Sequence, residues 1–198
     1  TTTEGSVWQL QSFASTSQSI EFVSSGGARM CLPLSRLKRL EFIQAGRIFL
    51  SDLEPVAIDV RPYVPSQVVT KRLEKLLAPR MDSSFDGSLI QIRDANGELQ
   101  EFEKGLALQS RTELTYRLAG KYQKFQSVVG FDPLAPDYGH IDLRILLDDR
   151  EVLREEIAKN DPPVNVDLAV GDANRMRILL DFGKNLDIGD RVHLGGAK

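Results

Sequence analysis

Between Lys104 and Pro133, apolar side chains recur at every second position. Leu106 and Leu108 alternate with Ala107 and Gln109, and Leu114 and Tyr116 with Thr115 and Arg117. Phe125, Ser127, Val129 and Phe131 alternate with Gln126, Val128 and Gly130. A period of two sends successive side chains to opposite faces of a strand, so three half-buried strands are predicted here. Leu118-Ala119-Gly120-Lys121 supplies a turn before the third run, and Asp132-Pro133 ends it, because proline has no N–H to give to a ladder.

The pattern extends in both directions. On the N-terminal side, Val7 to Phe13, Ser19 to Val23, Ala28 to Leu34 and Leu37 to Phe42 predict a β-meander, with Ser24-Ser25-Gly26-Gly27 as a hairpin connection and Pro33 at a strand end. The spacing of Leu34, Leu37 and Leu40 also fits a short helix, but Pro33 and the β-rich flanks favour strand, turn and strand. Arg47 to Leu50 and Val56 to Val60 read as short strands. A helix is predicted from Ser66, as N-cap, to Leu77 ahead of Pro79, with Val69, Leu73, Leu76 and Leu77 on its apolar stripe. Leu89 to Ile92 and Gln100 to Lys104 flank the hairpin dipeptide Asn96-Gly97. Past Pro133, His140 to Leu147 and Glu151 to Glu156 form a hairpin about Asp148-Asp149-Arg150, and Val164 to Leu168 and Arg175 to Phe182 are further strands. The last run, Gly183 to Lys198, reads as irregular. Many short strands at regular turn spacing predict an all-β chain: an antiparallel β-sandwich of jelly-roll type, with a small N-terminal meander and one short helix. A division is expected at residue 45, with residues 1–45 as the meander or a partial barrel and residues 46–198 as the sandwich.

Composition narrows the functions that fit. A length of 198 residues suffices for one sizeable core with a small companion. The net charge of −3 leaves no basic stripe for a phosphate backbone, so no nucleic-acid partner is expected. No apolar run approaches the roughly 18 to 20 residues that span a bilayer. The N-terminal TTTEGSVWQL lacks the basic region and apolar core of a signal peptide, as the mature form of a secreted chain also does. The single cysteine, Cys31, excludes an internal disulfide and, between Met30 and Leu32, is predicted to be a small buried hydrophobe. Acids scattered on turns and two histidines, without a nucleophile paired to a base, point away from an enzyme.

Four strings occur in order: FLSDLEP (Phe49 to Pro55), EKGLALQSRTELTY (Glu103 to Tyr116), LAGKYQKFQSVVGFD (Leu118 to Asp132) and DIGDRVHLGGAK (Asp187 to Lys198). Through them, residues 49–198 resemble the NPCBM domain, a carbohydrate-binding module family of bacterial secreted and surface proteins that is often found beside glycoside hydrolases. The resemblance implies a jelly-roll, galactose-binding-like sandwich without catalytic activity. It implies binding of galactose-type glycans by loops at one end, an extracellular, cell-surface or periplasmic location, and other domains of a larger protein as neighbours. Gln109 stands at the family's histidine position; in the closing pattern Asp190 is kept, while Arg191 and Leu194 replace a histidine and a tryptophan. The candidate ligand-binding cluster is Arg80, Asp82, Gln109, Ser110, Arg111, Asp190 and His193, with Tyr63, Phe85 and Tyr138 as loop aromatics. Asp181, Asn185, Asp187 and Asp190 offer oxygen ligands within ten residues and make calcium a candidate ion; no other cofactor is expected. Gln109 and Leu194 also keep open a second reading, a structural or protein-interaction sandwich without sugar binding.

Overall fold

The computed structural model describes residues 10–24, 27–38, 47–63 and 76–198. Contacts divide the chain into two compact units, Thr1–Ala45 and Gly46–Lys198. In the first, β1 (Leu10–Ser15), β2 (Ser19–Ser24) and β3 (Arg29–Pro33) form an antiparallel sheet in sequential order. Pro33 ends β3 as expected, and Leu34–Arg36 follows as a 3-10 turn. The fourth expected run, Leu37 to Phe42, lies largely outside the described residues. Cys31 is exposed, against the sequence expectation. It pairs with Glu21, and strand alternation turns it to the face opposite Met30 and Leu32.

The second unit is a β-sandwich. Its elements are β4 (Ala57–Val60), β5 (Arg80–Met81), β6 (Ile90–Arg93), β7 (Leu99–Phe102), β8 (Gly105–Gln109), β9 (Thr112–Arg117), β10 (Lys124–Phe131), β11 (His140–Leu147), β12 (Arg150–Ala158), β13 (Val164–Ala169), β14 (Arg175–Phe182) and β15 (Arg191–Gly195). One antiparallel sheet runs β13-β10-β15-β8-β5 and the other β12-β11-β14-β9-β4. From β8 to β15 the chain changes sheet at every connection except the β11–β12 hairpin. That hairpin turns through Asp148 and Asp149, both at positive φ (46° and 70°), the signature of a type I′ turn that matches strand twist.

Alternation fills the space between the sheets. Leu106, Leu108, Phe125, Val129, Phe131, Val192 and Leu194 face Leu114, Tyr116, Ile141, Leu143, Ile145, Met176, Ile178 and Leu180 in one buried cluster. The three strands predicted between Lys104 and Pro133 are β8, β9 and β10, with the expected residues inward. Two expectations change. Arg47 to Leu50 is not a strand: its end enters a 3-10 turn, Leu50–Asp52, held by the Leu50 N–H donating to Ala197 O at 2.9 Å. Residues 191–195, read as irregular, form β15 in the middle of its sheet, bonded to both β8 and β10. Of the expected helix, residues 76 and 77 are helical and the rest lies outside the described residues.

The β6–β7 hairpin covers the outer face of the β8–β10–β15 sheet, with Ile90 and Ile92 buried beneath it. Close approach there depends on missing side chains. A Cβ on Gly130 would stand 2.5 Å from Ile92 Cγ2, and one on Gly195 would stand 2.6 Å from the Phe102 ring. Neither glycine has a positive φ, so space and not backbone conformation selects it.

Candidate functional site

At one end of the sandwich β4, β8, β10 and β14 finish and β9, β11 and β15 begin. The connections meeting there are residues 61–63, 109–111, 132–139, 159–163 and 183–190, with Lys159 donating its N–H to Gly139 O at 2.9 Å and its ammonium to Asp132 O at 2.6 Å. Asp190 ties three of them together. Its Oδ2 accepts the Ser110 hydroxyl at 2.7 Å, its Oδ1 accepts the His140 N–H at 2.9 Å, and its carbonyl accepts the Ser110 N–H at 3.3 Å. Asp190 is 2% exposed, and burial pushes its carboxyl above the usual range although these hydrogen bonds oppose the shift. The Ser110–Arg111 peptide is cis.

Around this tie lie the exposed groups. Gln109 closes β8 and donates its amide N–H to Leu76 O at 3.2 Å. Arg111 sits between Asp181, at 3.5 Å, and Glu113, at 3.7 Å, with about a quarter of its side chain exposed. Tyr63 stacks edge-on to Phe182 with centroids 5.5 Å apart, and its N–H donates to Asp187 Oδ2 at 2.9 Å. Asn185 donates to the Tyr138 carbonyl. Arg191 donates to Leu134 O at 2.6 Å and stands 3.4 Å from Asp132, whose Oδ1 accepts the Leu134 N–H. Six exposed large apolar side chains belong to these loops and the adjoining residues 76–79: Tyr63, Leu76, Leu134, Tyr138, Leu186 and Ile188. A rim of apolar groups interleaved with fixed donors and acceptors can cover the apolar face of a ring while hydrogen-bonding its hydroxyls.

The expected cluster is gathered only in part. Gln109, Ser110, Arg111 and Asp190 come together; within this group Ser110 and Asp190 are buried and hold the loops, while Gln109 and Arg111 are partly exposed. Arg80 lies along the sheet edge on β5, opposite Ala107. Asp82 belongs to the other end of β8, where it accepts from the Lys104 ammonium at 2.8 Å and the Gly105 N–H at 3.1 Å. His193 is 1% exposed between β15 and the β6–β7 hairpin, not in the loop cluster. Its Nδ1–H donates to the Gln91 carbonyl at 2.7 Å, so neutral Nε2 accepts the Ser84 hydroxyl at 3.1 Å. Burial lowers its pKa and the Gln91 bond opposes that shift.

Three of the four proposed calcium ligands have carboxylate oxygens engaged elsewhere: Asp181 with the Phe182 N–H and Arg111, Asp187 with the Tyr63 N–H, and Asp190 with Ser110 and His140; the fourth, Asn185, turns its amide N–H to the Tyr138 carbonyl. Among the described residues no three His, Cys, Asp or Glu converge on one ion position. Sequence reasoning overlooked His140, whose backbone N–H joins Asp190 and whose Nδ1 accepts the Lys184 N–H at 3.3 Å. Its place at a strand start directly after a Pro- and Gly-rich loop is the signal that was available.

The family model for the NPCBM/NEW2 domain matches residues 62–198. A search of the curated proteins finds no match to the chain. Among solved structures, the CBM51 of Clostridium perfringens GH95, in complex with methyl-galactose, superposes with a TM-score of 0.64 at 22% identity over 76% of this chain and 97% of that one. The CBM51-2 and INT domains of Clostridium perfringens ZmpB, the former in complex with GlcNAc, give 0.65 at 16% identity over 96% of this chain and 39% of that one. The tandem CBM51 modules of a family 98 glycoside hydrolase from Streptococcus pneumoniae give 0.62 at 24% identity over 76% of this chain and 45% of that one. At these identities the likeness is one of fold.

Proposed function

The chain belongs to the NPCBM/NEW2 domain family, and from that membership we propose that it is a non-catalytic carbohydrate-binding module whose loop end takes a galactose-type or related sugar. The observation that carries the reading is the pairing of Gln109 and Arg111 with the exposed rings Tyr63 and Tyr138 on loops fastened by buried Asp190. The guanidinium of Arg111 presents a planar set of N–H donors suited to neighbouring hydroxyls, and its two carboxylate neighbours hold it in place. Solved neighbours in complex with methyl-galactose and with GlcNAc support the same class of ligand. The module would act as one domain of a larger extracellular, cell-surface or periplasmic protein, as the multidomain neighbours suggest.

Titration calorimetry with galactose and GlcNAc, backed by a glycan array, tests this. Saturable binding is expected, weakened about tenfold or more by Arg111→Ala and by Gln109→Ala. The second reading, an interaction sandwich without sugar binding, is favoured by Leu194, which stands fully buried where the family places a tryptophan. A folded protein that binds no sugar across the array would select it.

A further inference from the structure

At the end of the sandwich opposite Gln109 to Arg111, a cleft of about 480 Å³ opens between the 3-10 turn Leu50–Asp52 and residues 118–126. Its size lies within the roughly 300 to 1,000 Å³ of small-ligand sites. The floor is the exposed end of the core: Leu50, Leu118, Phe125, Val170 and Met176 line it. The rim carries Arg47, Lys121, Lys124 and Lys198, and among the described residues no acidic side chain lines it. Lys124 is neutralised by Asp167 at 2.8 Å. Among the described residues Arg47, Lys121 and Lys198 have no ion pair. Cations of one sign around a low-dielectric floor focus a positive field on the cleft, and an anion seated there relieves their mutual repulsion.

We propose that this cleft is a second binding site, separate from the loop end, for a small organic anion with an apolar body. Its carboxylate or sulfate group lies between Arg47 and Lys121, and its body covers Leu118, Phe125 and Met176. The argument is independent of sugar binding, since it uses none of the loop-end residues.

The test is an NMR titration of the ¹⁵N-labelled chain with decanoate. Saturable shifts are expected at residues 118–126 and 170, with residues 109–111 unmoved. Decylamine, with the same body and the opposite charge, and glucuronate, with the charge and no apolar body, should each bind at least about tenfold more weakly. The double variant Arg47→Glu with Lys121→Glu changes two exposed side chains, so it should unfold at the temperature of the parent and bind decanoate at least about tenfold more weakly. No saturable shift up to about 1 mM decanoate, equal binding of decylamine or glucuronate, or undiminished binding by the double variant would overturn the proposal.

Discussion

Ser110 and Asp190 show how a loop residue's role depends on the direction its side chain takes. Both were legible as polar positions in the turns that the family resemblance marks, yet their contact is with each other across 80 positions of sequence. Nothing in a local pattern encodes that pairing. Ser110→Ala would leave one Asp190 oxygen buried without its donor, which is expected to cost about 1 to 3 kcal/mol in urea unfolding. His193 was equally misleading: at an alternating position near a glycine-rich end it looks available, but it faces the covering hairpin. Its lowered pKa sets the sign of a pH effect. The unfolded chain takes up the proton first as the pH falls below about 6.5, so stability is lost progressively from there down to the folded pKa. Asp132 and Asp86 oppose this lowering and Arg191 adds to it. His193→Gln, which keeps a donor and an acceptor, should flatten the dependence of stability on pH below about 6.5; an unchanged slope would assign it to other groups.

At the scale of elements, β8, β9, β10, β11 and β14 were readable because each alternates over five or more residues with one face mainly apolar, interrupted only by Thr112 on β9 and Ser127 on β10. β15 was missed for a physical reason. Only Val192 and Leu194 mark its inner face, and its outer positions hold Arg191, His193 and Gly195, which resemble a loop until the hairpin that covers them is known. The glycine is part of that cover. Gly195→Ala would place a methyl group 2.6 Å from the Phe102 ring, so the hairpin must lift or the ring must turn. A loss of about 1 to 3 kcal/mol is expected, with faster amide exchange confined to residues 90–102 and the strand beneath them. The long edge strand β12 guards itself differently. Arg150, Glu151, Arg154, Glu155 and Glu156 charge it along its length, which discourages pairing with another chain. Asp142 on β11 anchors Arg154 of this edge at 2.9 Å and Arg144 at 2.5 Å. Burial would raise the Asp142 pKa, but the two guanidinium groups prevail and hold it below the usual range.

For the whole molecule, the division at residue 45 predicts that the sandwich stands alone. Its buried cluster runs from Leu50 to Ala197 and draws on both five-stranded sheets, with the 3-10 turn at Leu50 fastened to Ala197, two residues past β15. A domain of about 150 residues buries roughly 70% of the surface its unfolded chain exposes, which is sufficient without disulfides. A fragment of residues 46–198 should therefore melt in one cooperative transition and keep both the loop-end sugar affinity and the response to decanoate, because Arg47 begins the cleft rim. Circular dichroism during thermal unfolding and the same two titrations measure this. A fragment that aggregates or melts without cooperativity would place residues 1–45 within the folding unit. A well-folded fragment that loses either affinity would show that residues 46–198 do not carry that site by themselves.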